Sequence, residues 1–342
     1  MNKTWTLLVN PASTGYNTET IREINELLKV NDYNTFILES KNAGDITKQI
    51  QEVNGFSDFT STIGGDGTLG EAFKGLQKIK QKTVLCPIPS GAANDLIVNY
   101  GLDKDPIETV KILLELAEMP PKYVDLVTFN GEAMGYAATA GLGTHIPPNT
   151  DSELKKRFGT AGYFIKAGVD TCRDIGAIMV EKTKAVAEKI PGINHSNIIV
   201  PEKSQILDPL FNPYTVTYRS NKLNNCILIA ITNAKRFASF DVYPDANIGD
   251  GKFEVLLVKN PKNIFSMIQL LDTFANGKLG KIKCEEAITF STDSFKFELS
   301  ENLPYFDFDV DGDAAKIIYP DDGIVNTHFE AKVAKQVKCL RR

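Results

Sequence analysis

Two hydrophobic periods divide the chain. Up to about residue 116, short runs of β-branched and apolar residues alternate with stretches in which apolar residues recur every three or four positions. Trp5–Val9 reads as a buried strand, followed by a helix over about Thr18–Lys29 with Ile21, Ile24, Leu27 and Leu28 on one face. Thr35–Leu38 is a second strand, and from about Asp45 a helix turns Ile46, Ile50 and Val53 inward. Phe59–Ile63 is the third strand; the helix after it lines up Leu69, Ala72, Phe73, Leu76 and Ile79, with Thr68 and Glu71 at capping-box spacing. Thr83–Ile88 forms a fourth strand, then come a short helical turn and a helix over about Pro106–Leu116, its proline in the first turn. Strands alternating with helices predict an α/β unit with a parallel sheet covered on both faces.

The period changes near residue 123. Val124–Phe129, the dipeptide Asn130-Gly131 and Ala133–Ala140 read as a hairpin. Tyr214–Arg219, Cys226–Thr232, Phe253–Val258, Ala287–Phe290 and Phe295–Leu299 read as further strands, so the second half is expected to be mainly antiparallel, a β-sandwich or closed sheet. Helices over about Ser152–Asp174 and Asn263–Ala275 interrupt it, and Glu181–Pro213 has no clear period. The expected division is an α/β domain at 1–122 and a β domain at 123–319, with 320–342 packing back on the first.

Composition narrows the setting. The 342 residues fit about two domains. With 42% hydrophobic and 24% charged residues the chain reads as a soluble globular protein. A net charge of −5 argues against a dedicated nucleic-acid binder. Five scattered cysteines without a Cys-x-x-Cys pair suggest reduced thiols in a cytoplasmic protein, and three isolated histidines show no metal-ligand spacing. No apolar run approaches the ~20 residues of a membrane span.

The chemistry gathers at strand ends. In parallel α/β sheets, ligands bind where the carboxyl ends of strands meet their loops. Three such ends carry small, polar, glycine-containing loops: Asn10–Gly15, Gly64–Thr68 and Ser90–Asp95. In Gly64-Gly65-Asp66-Gly67-Thr68 the glycines permit close backbone approach, and a helix N-terminus beside them suits a phosphate. Asp66 would repel a phosphate unless a divalent cation bridged them, so the loop suggests a nucleotide held with Mg²⁺. Farther on, Asp307, Asp309 and Asp311 alternate with apolar residues and would share one face of a strand. Asp311-Gly312 is equally a plain turn.

Together these motifs resemble the diacylglycerol kinase catalytic family, with sphingosine kinases and NAD kinases as related groups. The likeness is carried in order by Asn10-Pro11, the Gly64–Thr68 loop, Pro89–Asp95, Val124-Asp125-Leu126 and Ala140–Gly143. It continues through Gly159 and Tyr163, Asp245-Ala246 with Gly249-Asp250-Gly251, and Asp311-Gly312-Asp313. The resemblance implies an ATP-dependent lipid kinase whose site lies between its two domains. It implies nucleotide contacts from Asn10, Pro11, Ala12, Ser13, Thr14, Ser40, Gly64, Gly65, Asp66, Gly67, Thr68, Leu69, Gly70, Gly91, Ala92 and Asn94. Asp66, Asp95 and Asp125 would arrange the catalytic Mg²⁺ through water. A second, structural Mg²⁺ would sit on the Asp250 side chain and the backbone of Asn247 and Lys252. In the last triplet Asp313 would be the base that takes the lipid hydroxyl proton, with Asp311 beside it.

Three positions depart from the family pattern. Asp313 stands where the family has Glu, Ala92 where it has Thr, and the basic residue often found near Asn-Pro or after Asn-Asp is missing, since Ala12 and Val98-Asn99 stand there. They leave room for a nucleotide-binding homologue without catalysis, as well as for an NAD kinase-like enzyme, although the paired Asn-Glu motif of the latter is absent. A lipid kinase must touch a membrane surface. Lys155-Lys156-Arg157-Phe158 and the basic stretch Lys332–Arg342 are candidates, with solvated helix faces as the plain alternative. A homodimer is compatible with the family.

Overall fold

The computed structural model describes residues 2–141, 214–236, 243, 245–262, 286–299, 308–311, 313–315 and 327–342. The helices expected at 152–174 and 263–275, the stretch 181–213 and the 155–158 basic cluster lie outside these residues.

The first half alternates as its periodicity requires: β1 (Thr4–Val9), α1 (Thr18–Val30), β2 (Asn34–Glu39), α2 (Asp45–Val53), β3 (Phe59–Gly64) and α3 (Asp66–Gln77). β4 (Val84–Leu85), β5 (Ile88–Pro89), α4 (Asp95–Asn99) and α5 (Pro106–Leu116) follow. β1 pairs in parallel with β2 and β3, and β3 in parallel with β4 and β5. The expected fourth strand is thus split in two. Pro87 has no N–H to give the ladder, and the pairing resumes only at Ile88. Local chemistry marks the helix starts: Asn17 accepts from the N–H groups of Glu19 and Thr20, and Asp105 accepts from those of Ile107 and Glu108 ahead of Pro106.

The second half is mainly antiparallel, as expected. β6 (Lys122–Phe129) turns at Asn130-Gly131 into β7 (Glu132–Met134), followed by β8 (Ala137–Gly141). β9 (Tyr214–Tyr218), β10 (Asn221–Thr232), β11 (Phe253–Lys259), β12 (Ala287–Thr292) and β13 (Ser294–Leu299) pair in antiparallel fashion. The hairpin of β14 (Phe308–Val310) and β15 (Asp313–Ala315) joins β8. One hydrophobic core collects residues from Trp5 to Leu126 with Val337, Cys339 and Leu340, and a second runs from Val127 to Ala331. The change falls inside β6, between Leu126 and Val127.

The C-terminal basic stretch belongs to a strand, not a helix face. β16 (His328–Cys339) pairs antiparallel with β13 and β6 and in parallel with β4. Phe329, Ala331, Val337 and Cys339 alternate into the two cores. Lys335 sits at an inward position beside a register shift, where its ammonium donates to the carbonyls of Leu76 and Ile79 at the end of α3. Arg341 donates to the Tyr123 carbonyl. Both cations are engaged with the protein itself; at Lys335 the reason is that a helix end exposes carbonyls that a cation satisfies. Lys335→Ala is expected to destabilise the fold by about 1–2 kcal/mol, measured as a lower urea midpoint at unchanged m-value.

Candidate active site

The three strand-end loops meet. The Asn10 side chain donates to the Thr68 hydroxyl at 2.9 Å and accepts from the Ala12 N–H at 3.0 Å, tying the first loop to the first turn of α3. Ser13 reaches the Ser90 hydroxyl at 3.0 Å, and the Gly15 N–H donates to the Ser90 carbonyl at 2.9 Å. The Ser90 N–H in turn donates to Gly64. Ser40 lies alongside, its N–H on the Val9 carbonyl at 2.8 Å. Pro11, Ala12 and Thr14 complete the first loop, with Ala12 and Thr14 exposed.

The glycines of these loops differ in purpose. A Cβ on Gly91 would stand 2.4 Å from the Gly65 Cα, so the second and third loops pack backbone to backbone. Asn94, at φ +53°, closes the third loop around Ala92 by accepting from the Gly91 N–H and donating to the Gly91 carbonyl. A Cβ on Gly64 would collide with Thr68. Gly70 lies under the hairpin, since a Cβ on Gly135 would come within 2.8 Å of its Cα. Leu69 is buried in the first core, so only its backbone can face a ligand. Gly67 is unlike the others: a Cβ there would meet nothing within 4 Å.

The capping box expected at Thr68 and Glu71 does not form. α3 is capped three residues earlier, by Gly65, which offers no side-chain acceptor. Thr68 is already in the first turn and holds Asn10, while Glu71 accepts from the Gly44 N–H at 3.0 Å. The N–H groups of Asp66 and Gly67 therefore stay without partners among the described residues, as the first N–H groups of a helix do when no side chain caps them.

Three of the expected acids are brought together. Asp66 accepts from the N–H groups of Asp95 at 3.1 Å and Leu96 at 3.0 Å. Removal from water pushes its carboxyl up to about 6, helped by the nearby charges of Asp95 and Asp311 and opposed by those two hydrogen bonds. Asp95 accepts from the Tyr136 hydroxyl at 2.9 Å and from Arg236 Nε at 3.1 Å. Asp311, at φ +59°, accepts from the N–H groups of Gly135, Tyr136 and Ala137, and its Oδ2 faces Gly70 on α3. Burial raises its carboxyl as well. The backbone of Asp313 follows directly in β15, opposite Val310.

Asp125 lies in β6. Its carboxylate accepts from the Gly251 N–H at 2.7 Å and from Gln336 Nε2 at 2.9 Å, so it anchors the 247–252 loop to β16. In that loop Asn247 accepts from the Gly249 N–H and Asp250 from the Lys252 N–H. Next to it, burial pushes Glu254 up to about 7, reinforced by Asp250 and then Asp125.

Sequence reasoning passed over Tyr136, Asn99, Arg236 and Gln336. Tyr136, Arg236 and Gln336 stand between 41 and 211 positions from the acids they serve, Asn99 stands 136 and 137 positions from Lys235 and Arg236, whose N–H groups donate to it, and no local spacing announces these pairings.

The comparisons take up the same loops. Residues 4–126 match the diacylglycerol kinase catalytic domain. Similar curated proteins are both named "Probable lipid kinase YegS-like". That of Pseudomonas fluorescens (strain Pf0-1) is 34% identical over 123 residues, or 35% of this chain and 39% of the relative. That of Pseudomonas aeruginosa (strain UCBPP-PA14) is 32% identical over 124 residues, 36% and 39% of the two chains. The chain thus spans about two fifths of the length of the curated relatives it matches. Beyond residue 126 the likeness is one of fold. The crystal structure of a diacylglycerol kinase from Bacillus anthracis str. Sterne superposes with a TM-score of 0.63 at 18% identity, covering 100% of this chain and 97% of that one. The diacylglycerol kinase-like segment therefore contains all three strand-end loops together with Asp66, Asp95 and Asp125.

A pH prediction follows from Glu254. Its carboxyl titrates near 4.5 when unfolded and near 7 when folded, so the stability it contributes is complete below about 4.5 and lost as pH rises through 7. In a chelator, Glu254→Gln should match the wild type in stability near pH 5 and exceed it at pH 8 by on the order of 3 kcal/mol, read by urea unfolding.

Proposed function

We propose that this chain is an ATP- and Mg²⁺-dependent lipid kinase that transfers the γ-phosphate to the hydroxyl of diacylglycerol or a similar amphiphile. The nucleotide domain would be 1–122, returning at 320–342, and the substrate domain 123–319, with the site in the cleft between them. The observation that carries this reading is Gly67. Neither packing nor backbone conformation demands a glycine there, yet its missing side chain leaves open to approach two N–H groups of α3 that have no partner among the described residues. A phosphate fits such a cradle.

The acids fit a hydrated Mg²⁺. Among the described residues no three His, Cys, Asp or Glu side chains form a closed ligand set. Mg²⁺ keeps several waters and uses one or two carboxylates with substrate phosphates, which Asp66 and Asp95 could provide. When bound, the ion neutralises phosphate charge. The chain's own part is positioning: the three loops hold the phosphates, Asp66 and Asp95 fix the cation end of the cleft, and Asp125 holds the 247–252 loop, where Asn247, Asp250 and Lys252 would take the structural ion. Asp313 accepts the proton of the attacking hydroxyl; phosphoryl transfer needs little more from the protein. The acceptor requires contact with a membrane surface at the cytoplasmic side, and no helix among the described residues is long and apolar enough to cross a bilayer. Ala92 and Asp313 favour a second reading, a nucleotide binder without turnover.

The test is ATP consumption with Mg²⁺ in mixed micelles, with and without diacylglycerol, and with NAD as a parallel acceptor. Lipid-dependent turnover with a phosphorylated lipid product is expected; binding without turnover on any acceptor would select the second reading. Asp66→Asn should abolish turnover in a folded protein. Gly67→Ala should keep or raise stability by up to ~1 kcal/mol while losing nucleotide binding, and equal binding would remove the cradle. Asp313→Glu should change the rate if Asp313 is the base, since a displacement of about 1 Å can cost on the order of 100-fold.

A further inference from the structure

α4 ends in Asn99, whose side chain is an amide. That amide accepts from the N–H groups of both Lys235 and Arg236, each at 2.9 Å, and reaches the Arg236 carbonyl at 3.3 Å. Three hydrogen bonds thus clamp the chain following β10 onto α4. The clamp delivers the Arg236 guanidinium to Asp95, with Nε 3.1 Å from Oδ1. The pair is largely shielded, the Asp95 side chain being 3% exposed and that of Arg236 25%.

We infer that Asn99 and Arg236 work as one device, in which Arg236 is a positioning residue that holds Asp95 for the nucleotide and its cation. The inference rests on the proposed nucleotide site and deepens it. Among the described residues the Asp95 N–H donates to Asp66, its Oδ2 accepts from the Tyr136 hydroxyl and its Oδ1 from Arg236. Among the described residues Arg236 is the cationic member of that set. A guanidinium is well suited to the task, since its planar donors fix a carboxylate in direction as well as in charge. Because Asp95 belongs to the first half of the chain and Arg236 to the second, the acid is set only when the halves are in register. Asn99 supplies no charge of its own. It imports one.

The test measures affinity for a fluorescent non-hydrolysable ATP analogue with Mg²⁺, together with kcat and lipid KM. The variants are Arg236→Gln, Arg236→Lys, Asn99→Leu and the double variant Asn99→Leu/Arg236→Gln. The two single losses are each expected to weaken analogue binding roughly tenfold, as for a lost charge-assisted hydrogen bond, and to lower kcat at unchanged lipid KM. The double variant should be no worse than either, because Asn99 acts through Arg236. Arg236→Lys should recover part of the loss. Affinity and kcat within twofold of wild type in Arg236→Gln, or effects that multiply in the double variant, would overturn the inference while leaving the kinase reading intact. So would a loss that follows falling thermal stability, raises lipid KM equally and is not recovered by Lys; that pattern marks a mere latch between the halves. Failure of the wild type to bind the analogue would overturn the nucleotide reading and this inference with it.

Discussion

The antiparallel pairing of β16 with β6, from Ala331 opposite Phe129 to Cys339 opposite Lys122, is the constraint on which the site depends. One end of β16 continues into β13 and the second core; the other reaches β4 and the first. A strand ladder fixes register, since a slip of one residue would turn every side chain to the opposite face. The two halves are therefore locked at a defined offset. Only at that offset does Gly135 sit on Gly70, Asp311 face α3, and Arg236 reach Asp95.

Within that frame the carboxylates are held against their mutual repulsion. Asp66 and Asp311 are removed from water, which disfavours their charged forms. Backbone N–H groups offset the cost, two at Asp66 and three at Asp311, while a phenol and a guanidinium serve Asp95. The result is not a charge cluster at rest. Asp66 still titrates near 6, the mark of an acid whose surroundings compensate its charge incompletely. Such residual strain is what a bound cation would relieve.

The loop geometry complements this electrostatics. Gly65 and Gly91 let two loops touch through backbone alone, and Gly70 with Gly135 lets a helix approach a hairpin. These glycines serve packing. Gly67 serves none, which is why it marks the open side of the first turn of α3. Motif reading treats all of them alike, because a glycine needed for protein contact and one left clear for a ligand are the same letter.

The chain's periodicity determined the alternating α/β half, the switch to antiparallel strands near residue 123 and the three loops at strand ends. These are local properties: side-chain period, turn residues and caps lie within a few positions of one another. It went astray where distant groups decided. Thr68 and Glu71 have capping-box spacing, yet Asn10 and Gly44 claim their side chains. Lys332–Arg342 reads as a basic surface, yet Lys335 is drawn inward by the carbonyl end of α3. Asp125 falls in the family motif with Asp66 and Asp95, and its partners Gly251 and Gln336 lie 126 and 211 positions away, beyond the reach of any local spacing. Composition and spacing could name the acids. Which of them stand together, and that Arg236 reaches Asp95 across 141 positions, followed only from tertiary structure, because hydrogen-bond partners far apart in sequence are chosen by the packing of the two halves.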